Sequence, residues 1–218
     1  MVKMKILNLF AGIGGNRTLW GNKHEITAVE YDQKIALIYH KRFPNDKIII
    51  GDAYKYLEDH FHEFDFIWAS PPCQTHTCLM AFQVGSRYLG RNSKPRLPDL
   101  KLYSMVIFLN SFFSKNNHKW VIENVNPYYT PIIKPSCKVG RHLIWSNFYI
   151  DTKKEKYHKD IKSHTVEELC EIHSIDYKYI ENLRNKKQIL RNCVSYQFGK
   201  YILDCIQIKK QSSLDIWK

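Results

Sequence analysis

The chain has 218 residues, the size of one ordinary domain, and its 44% hydrophobic and 14% aromatic content is enough to build a core. A charged fraction of 25% argues against wholesale disorder. No run of about 18 apolar residues exists to span a bilayer, and the opening MVKMKILNLF lacks the features of a secretory leader, so a cytoplasmic protein is expected. The six cysteines (Cys73, Cys78, Cys137, Cys170, Cys193, Cys205) are scattered, which fits free thiols in a reducing compartment rather than a disulfide framework. Residues 1–77 hold nine basic and nine acidic residues, so the whole excess of +12 falls in residues 78–218. A neutral first third followed by a basic remainder suggests a small-molecule site joined to a polyanion-binding surface.

Taken in chain order, the first 70 residues alternate between strand and helix patterns. Lys5–Phe10 is a short β-rich run, broken by Ala11–Gly15 (AGIGG) and followed by a helix to about Trp20. Glu25–Glu30 is a second strand, and Asp32–Arg42 carries Ile35, Ala36, Ile38 and Tyr39 at helical spacing. Lys47–Ile50 has the pattern of a buried strand, Ala53–His62 that of a helix, and Phe64–Ala69 a fourth strand stopped by Pro71-Pro72. Residues 78–98 form a long loop with Gly85, Gly90, Pro95 and Pro98 among Arg87, Arg91, Lys94 and Arg96; loops of that length are usually functional or disordered. Leu100–Phe113 returns to a helical pattern, Lys119–Glu123 and Leu143–Ile150 are further strands, Thr165–Ile172 is helical, and Tyr196–Ile208 closes the chain as an amphipathic helix. The alternation predicts an α/β fold with a mainly parallel sheet and helices on both faces.

In such sheets ligands bind beyond the carboxyl ends of the strands. The chemically interesting residues fall there: Gly12–Gly15 after the first strand, Glu30 ending the second, Asp52 after the third and Cys73 after the fourth. A strand, then Gly-x-Gly-Gly, lets backbone N–H groups approach a ligand closely. Glu30, 18 residues after Gly12, stands where a carboxylate accepts bonds from ribose hydroxyls, which suggests a nucleoside-containing cofactor. In Pro71-Pro72-Cys73-Gln74 a cysteine is presented on stiff backbone, a position that suits a nucleophile, although a buried structural thiol is the commoner fate of Cys. A zinc site with Cys78 is not expected, since no second ligand pair is in view. Glu123-Asn124-Val125 offers a carboxyl group that, next to a nucleophile and partly desolvated, holds a proton near neutral pH; a capping or solvated Glu is the plain alternative.

The ordered set Leu9–Gly15 (LFAGIGG), Glu30-Tyr31-Asp32, Gly51-Asp52-Ala53, Ser70–Gln74 (SPPCQ) and Glu123-Asn124-Val125 resembles the DNA (cytosine-5) methyltransferases. The resemblance covers residues 5–150, and PPCQ followed fifty residues later by ENV is its most specific part. It continues at Arg191-Asn192-Cys193-Val194, which is similar to the family's closing Gly-Asn-x-Val motif. The resemblance implies a Rossmann-like methyltransferase fold with S-adenosylmethionine as cofactor. Phe10, Gly12 and Gly14 would line the cofactor pocket, Glu30 would hold its ribose, Asp52 would read its adenine amino group, and Asn192 and Val194 would close the site. Cys73 would be the nucleophile and Glu123 would contact the pyrimidine. The loop after Cys73 would cover a flipped base, with Gln74, Arg87, Arg91, Lys94 and Arg96 as nucleic-acid contacts.

Departures from the family are specific. Asn8 stands where Asp is usual and Arg191 where Gly is usual. Of the family's arginine pair only Arg141 is present, with Leu143 at the second place; Arg141 is assigned to the catalytic set. The expected organisation is a catalytic core in residues 1–150, a reduced target-recognition insert in 151–187 and a segment returning to the core in 188–218. The insert carries Lys153, Lys154, Lys156, Lys159 and Lys162, but is too short for an independent domain. The expected partner is DNA, with no membrane association and with specificity or restriction supplied, where needed, by a separate subunit. Composition rich in Lys, Ile, Asn and Tyr fits an A·T-rich bacterial or phage genome and a nucleoid-associated enzyme. The same chemistry on transfer RNA is the near alternative; a non-catalytic nucleic-acid-binding relic and a nucleotide-linked oxidoreductase are the others.

Overall fold

The computed structural model describes residues 2–78, 96–114, 118–152 and 164–207. Seven strands form one sheet in the order β3-β2-β1-β4-β5-β7-β6. They are β1 (Lys5–Leu9), β2 (Glu25–Glu30), β3 (Lys47–Ile50), β4 (Phe66–Ala69), β5 (Lys119–Val125), β6 (Cys137–Val139) and β7 (His142–Ser146). The first five run parallel; β7 lies antiparallel to both β5 and β6. The mainly parallel sheet expected from the strand–helix alternation is therefore present, with an antiparallel hairpin at one edge.

Six α-helices are described: α1 (Gln33–Arg42), α2 (Ala53–His60), α3 (Lys101–Phe108, running into a π turn over Leu109–Phe113), α4 (Val166–His173), α5 (Lys186–Asn192) and α6 (Tyr196–Gln207). Local chemistry starts several of them. Asp32 caps α1 and Asp52 caps α2, each carboxylate accepting two backbone N–H bonds. Thr165 and Glu168 form a reciprocal capping box on α4.

Strand residues alternate between two cores, as the period of two requires. Leu7, Leu9, Ile67, Ala69, Ile122 and Trp145 pack with α2 and α3 on one face. Ile6, Ile26, Phe66, Trp68, Val121 and Ile144 pack with Phe198, Ile202 and Leu203 of α6 on the other, where Ala28 also meets Tyr39 of α1. A third cluster joins Leu169, Cys170, Ile175, Ile180 and Leu190 to Ile38 of α1 and Ile13 of the glycine turn.

Three expectations are corrected. After the glycine turn the chain makes only a 3-10 turn, Asn16–Leu19, before Gly21 turns it at φ +73°. β3 is an edge strand and half exposed rather than buried, because only β2 pairs with it. The strand near residue 143 runs from His142 to Ser146, shorter than the pattern suggested, because Ser146 and Asn147 turn their polar groups onto neighbouring backbone.

Candidate active site

The glycine turn is built by strain as well as by freedom. Phe10, directly after β1, has a left-handed backbone at φ +55°, costly for a side chain of its size. Gly14, at φ +77°, lies so close to Phe43 and Tyr39 that a Cβ would overlap their rings. The Gly12 N–H donates to Oε2 of Glu30 at 2.9 Å, and Oε1 of Glu30 accepts from Asp32 N at 2.9 Å. Both oxygens of Glu30 are thus aimed by backbone, and each keeps a lone pair for another donor. On Asp52, Oδ1 takes the Tyr54 and Lys55 N–H groups, leaving Oδ2 free of those bonds. Phe10 meets Tyr54 edge to face, with ring centroids 5.0 Å apart.

The closing motif returns to this turn. A Cβ on Gly15 would overlap the Cys193 sulfur and the Val194 carbonyl, so the Asn192–Val194 segment lies directly against it. Of the proposed cofactor residues, Phe10, Gly12, Gly14, Glu30 and Asp52 gather beyond β1, β2 and β3, and Asn192 and Val194 reach them from the far end of the chain. Sequence reasoning does not single out Tyr31. It is 81% exposed between Glu30 and Asp32, and Ile50 at the end of β3 is half exposed. An aromatic and an aliphatic side chain are thus left uncovered at the ends of the paired strands β2 and β3. Their position next to an acidic strand end is the signal that could have found them.

Cys73 follows β4, and Glu123 lies in β5, the neighbouring parallel strand. Asn124 is buried and its Nδ2 donates to the Pro71 carbonyl at 2.9 Å, tying the proline loop to β5. This gives Asn124 a positioning role that the motif does not reveal on its own. Burial pushes the Cys73 thiol up, the Glu123 carboxylate pushes it further, and the Arg141 guanidinium pulls it down. The Cys73 thiol thus lies within reach of the charges of both Glu123 and Arg141. Glu123 is buried, with His142 Nε2 at 3.6 Å from its Oε1. Arg141 donates from Nε to His142 Nε2 at 3.2 Å and from Nη2 to the Arg191 carbonyl at 3.1 Å, linking β7 to α5.

Leu143, at the second place of the expected arginine pair, sits opposite Asn124 in the β5–β7 register and is buried with Trp145. A guanidinium there would enter the apolar core, so no base contact comes from that position. Of the expected nucleic-acid contacts, Gln74 follows Cys73 directly, and Arg96 is exposed, its carbonyl accepting from the Tyr128 hydroxyl. Arg87, Arg91 and Lys94 lie outside the described residues, as do the five lysines of the insert.

Residues 4–77 match the family model of C-5 cytosine-specific DNA methylases, which is the third of the chain holding the glycine turn, Glu30, Asp52 and the PPCQ loop. No curated protein sequence matches the chain. Among solved structures, the Entamoeba histolytica methyltransferase EhMeth aligns over 96% of this chain and 100% of its own, at 13% identity and a TM-score of 0.56. That likeness, with the sheet order, identifies a Rossmann-like methyltransferase fold. Spodoptera frugiperda DNMT2 aligns over 56% of this chain and 35% of its own, at 26% identity and a TM-score of 0.36. A prophage-encoded DNA modification methyltransferase from E. coli aligns over 59% and 34%, at 19% identity and a TM-score of 0.37. The chain thus spans about a third of the length of these last two. Among the described residues no helix is long and apolar enough to cross a membrane.

Proposed function

We propose that the chain is an S-adenosylmethionine-dependent DNA cytosine-5 methyltransferase, working through a covalent Cys73 adduct. One observation carries the reading. Cys73 follows β4 and a buried carboxyl group, Glu123, lies in the adjacent strand β5, towards the same end of the sheet as the glycine turn and Glu30. The family match over residues 4–77 supports the same chemistry.

The residues fit the cofactor. Glu30 has lone pairs for two ribose hydroxyls, Asp52 Oδ2 is open to an amino group, and the exposed Tyr31 and Ile50 offer apolar surface nearby for a purine. Phe10, Gly12 and Gly14 line the turn, and Asn192 and Val194 close it. When bound, S-adenosylmethionine supplies an electrophilic methyl group on a sulfonium.

This chain's residues prepare the acceptor. Carbon 5 of cytosine is a poor nucleophile until aromaticity is broken. The Cys73 thiolate adds to carbon 6 while Glu123 delivers a proton to ring N3, so that charge does not build on the ring. Carbon 5, now an enamine carbon, takes the methyl group. With the carbon-5 proton passed to solvent, elimination expels the Cys73 thiolate, and the N3 proton returns to Glu123. Arg141 favours the thiolate throughout. A stacked base admits no attack above carbon 6, so it must leave the helix, at a cost of about a few kcal/mol.

Residues 1–150 form the catalytic core in this reading, 151–187 a reduced recognition segment and 188–218 the returning segment. So short an insert implies a short recognition sequence, recognition by residues 78–98, or a separate recognition or restriction subunit, and the Lys-, Ile-, Asn- and Tyr-rich composition suits a bacterial or phage enzyme acting on DNA in the cytoplasm. The test is methyl transfer from labelled cofactor to duplex DNA and to transfer RNA, followed by base-resolution mapping. Methylation of DNA cytosine that is lost in Cys73→Ser supports the reading; transfer to RNA alone redirects the substrate; transfer undiminished in Cys73→Ser overturns the mechanism.

A further inference from the structure

His76 belongs to none of the motifs, yet it is 2% exposed and lies three residues past the proposed nucleophile. Its backbone N–H donates to the Cys73 carbonyl at 3.0 Å, and Thr77 N–H donates to the same carbonyl at 3.1 Å, closing a tight turn on Cys73. The His76 carbonyl accepts from Tyr128 N–H at 3.0 Å, and Thr77 bridges Pro127. The ring completes the arrangement. Its Nδ1 lies 2.6 Å from the Tyr129 hydroxyl, which in turn accepts from the Tyr103 hydroxyl at 3.4 Å. Tyr103 is buried on α3 in the core beneath the sheet.

Resting on the reading of Cys73 as nucleophile, we propose that His76 is the positioning residue of the nucleophile loop. It locks the Cys73 turn through Tyr129 and Tyr103 to α3. The chemistry sets the direction of the chain. Burial holds the imidazole below its ordinary value, which favours the neutral ring, and because the Tyr103 hydroxyl donates to Tyr129, the Tyr129 hydroxyl proton is left to point at Nδ1. Tyr103 donates to Tyr129, and Tyr129 donates to His76. Asp99 acts on the ring in the opposite sense to burial, and Tyr129 is its hydrogen-bonded partner. The charges acting on the Cys73 thiol are those of Glu123 and Arg141, so His76 works through the backbone rather than on the sulfur. Breaking one link leaves a hydroxyl in the core without its acceptor, which favours relaxation of the turn.

The experiment compares wild type with His76→Phe, His76→Asn and Tyr129→Phe. It measures the rate of covalent capture by duplex DNA containing 5-fluorocytosine in the presence of S-adenosylmethionine. Cofactor affinity by calorimetry and thermal melting are followed in parallel. His76→Phe is expected to slow capture about tenfold or more, with cofactor affinity unchanged. Tyr129→Phe lies in between, and His76→Asn, whose Oδ1 takes the place of Nδ1, recovers most of the rate. Loss of thiolate slows capture towards acid in every variant, and wild type is expected to fall more steeply than His76→Asn where the ring protonates. Capture by His76→Phe at the wild-type rate overturns the proposal, as does a His76→Asn variant no better than His76→Phe. If His76→Phe does not fold, Tyr129→Phe decides by the same criterion. If wild type itself is never captured, the Cys73 reading has failed separately. Alkylation of Cys73 by iodoacetamide then tests the lock alone: faster labelling in Tyr129→Phe supports it, and equal labelling overturns it.

Discussion

At the scale of single residues, the thiol of Cys73 is the most informative group because two neighbours pull it in opposite senses. Burial and Glu123 raise it while Arg141 lowers it, so in the free protein the thiolate is the minor form at neutral pH. Alkylation of Cys73 by iodoacetamide should therefore rise with pH into the alkaline range. Glu123→Gln removes a negative charge and should speed labelling several-fold at a fixed, mildly alkaline pH; Arg141→Ala should slow it. Labelling that ignores both substitutions would separate Glu123 and Arg141 from the nucleophile. A second residue carries two duties that can be pulled apart. Asp52 caps α2 and also offers Oδ2 to a ligand. Asn caps nearly as well as Asp, so Asp52→Asn should melt close to wild type yet bind the cofactor more weakly. Asp52→Ala should lose about 1 kcal/mol of stability as well. Placement at the site is legible in sequence where a short motif sets both the residue and its strand end, as for Glu30 after the glycine turn and Cys73 after β4. It is not legible for Asn124 and His76, whose partners, Pro71 and Tyr129, are fifty-three residues distant.

At the scale of elements, what the sequence discloses follows from how local each signal is. β1, β2 and β4 lie inside the sheet and are mostly apolar, broken only by Asn8 and Thr27 between the charged strand ends, so they stand out. β6 has three residues and α5 has seven, too few to establish a period against Lys, Gln and Arg. The helix expected after the glycine turn shortens to a 3-10 turn where α6 packs on it: Trp20 Nε1 donates to the Gly199 carbonyl, a partner 179 residues distant that no local pattern reveals. Packing of the closing motif against the turn yields a further prediction. Gly15 touches Cys193 and Val194 closely enough that a methyl group must displace them. Gly15→Ala should cost about 1–3 kcal/mol in denaturant melts. Because the displaced segment is the one assigned to close the pocket, cofactor affinity measured by calorimetry should fall with it. A stable Gly15→Ala protein with full affinity would detach Asn192–Val194 from the site.

Across the whole molecule, one buried ion pair ties the cofactor side together. Arg17, in the 3-10 turn, makes two bonds to Asp46, at 2.7 and 3.0 Å, and Tyr39 of α1 donates to the same carboxylate at 2.8 Å. Arg17 also stacks over Phe43, 4.9 Å from its centroid. Removing one partner strands a charge in the core, so Asp46→Ala should lose about 3–5 kcal/mol in equilibrium unfolding. Combining Arg17→Leu with Asp46→Leu should recover part of that loss, since two apolar groups leave no charge unpaired.

Charge distribution is the property of the chain that bears most directly on its partner. The balanced first 77 residues hold the turn, Glu30, Asp52 and Cys73, and the +12 excess lies wholly in the remainder. Phosphate neutralisation releases counterions, so the logarithm of affinity falls linearly with that of salt, by roughly 0.9 for each phosphate neutralised on duplex DNA. If the basic remainder grips a duplex through about four to seven phosphates, the slope should lie near −4 to −6. Fluorescence anisotropy of a labelled duplex over a salt series measures it. Substituting Arg87, Arg91 and Lys94 together by Gln should flatten the slope by about one for each phosphate no longer neutralised. Cofactor affinity should not change, because none of the three substituted residues is assigned to the pocket. A slope near zero, or one that the triple substitution leaves unaltered, would mean that the positive charge serves something other than the phosphates at this site.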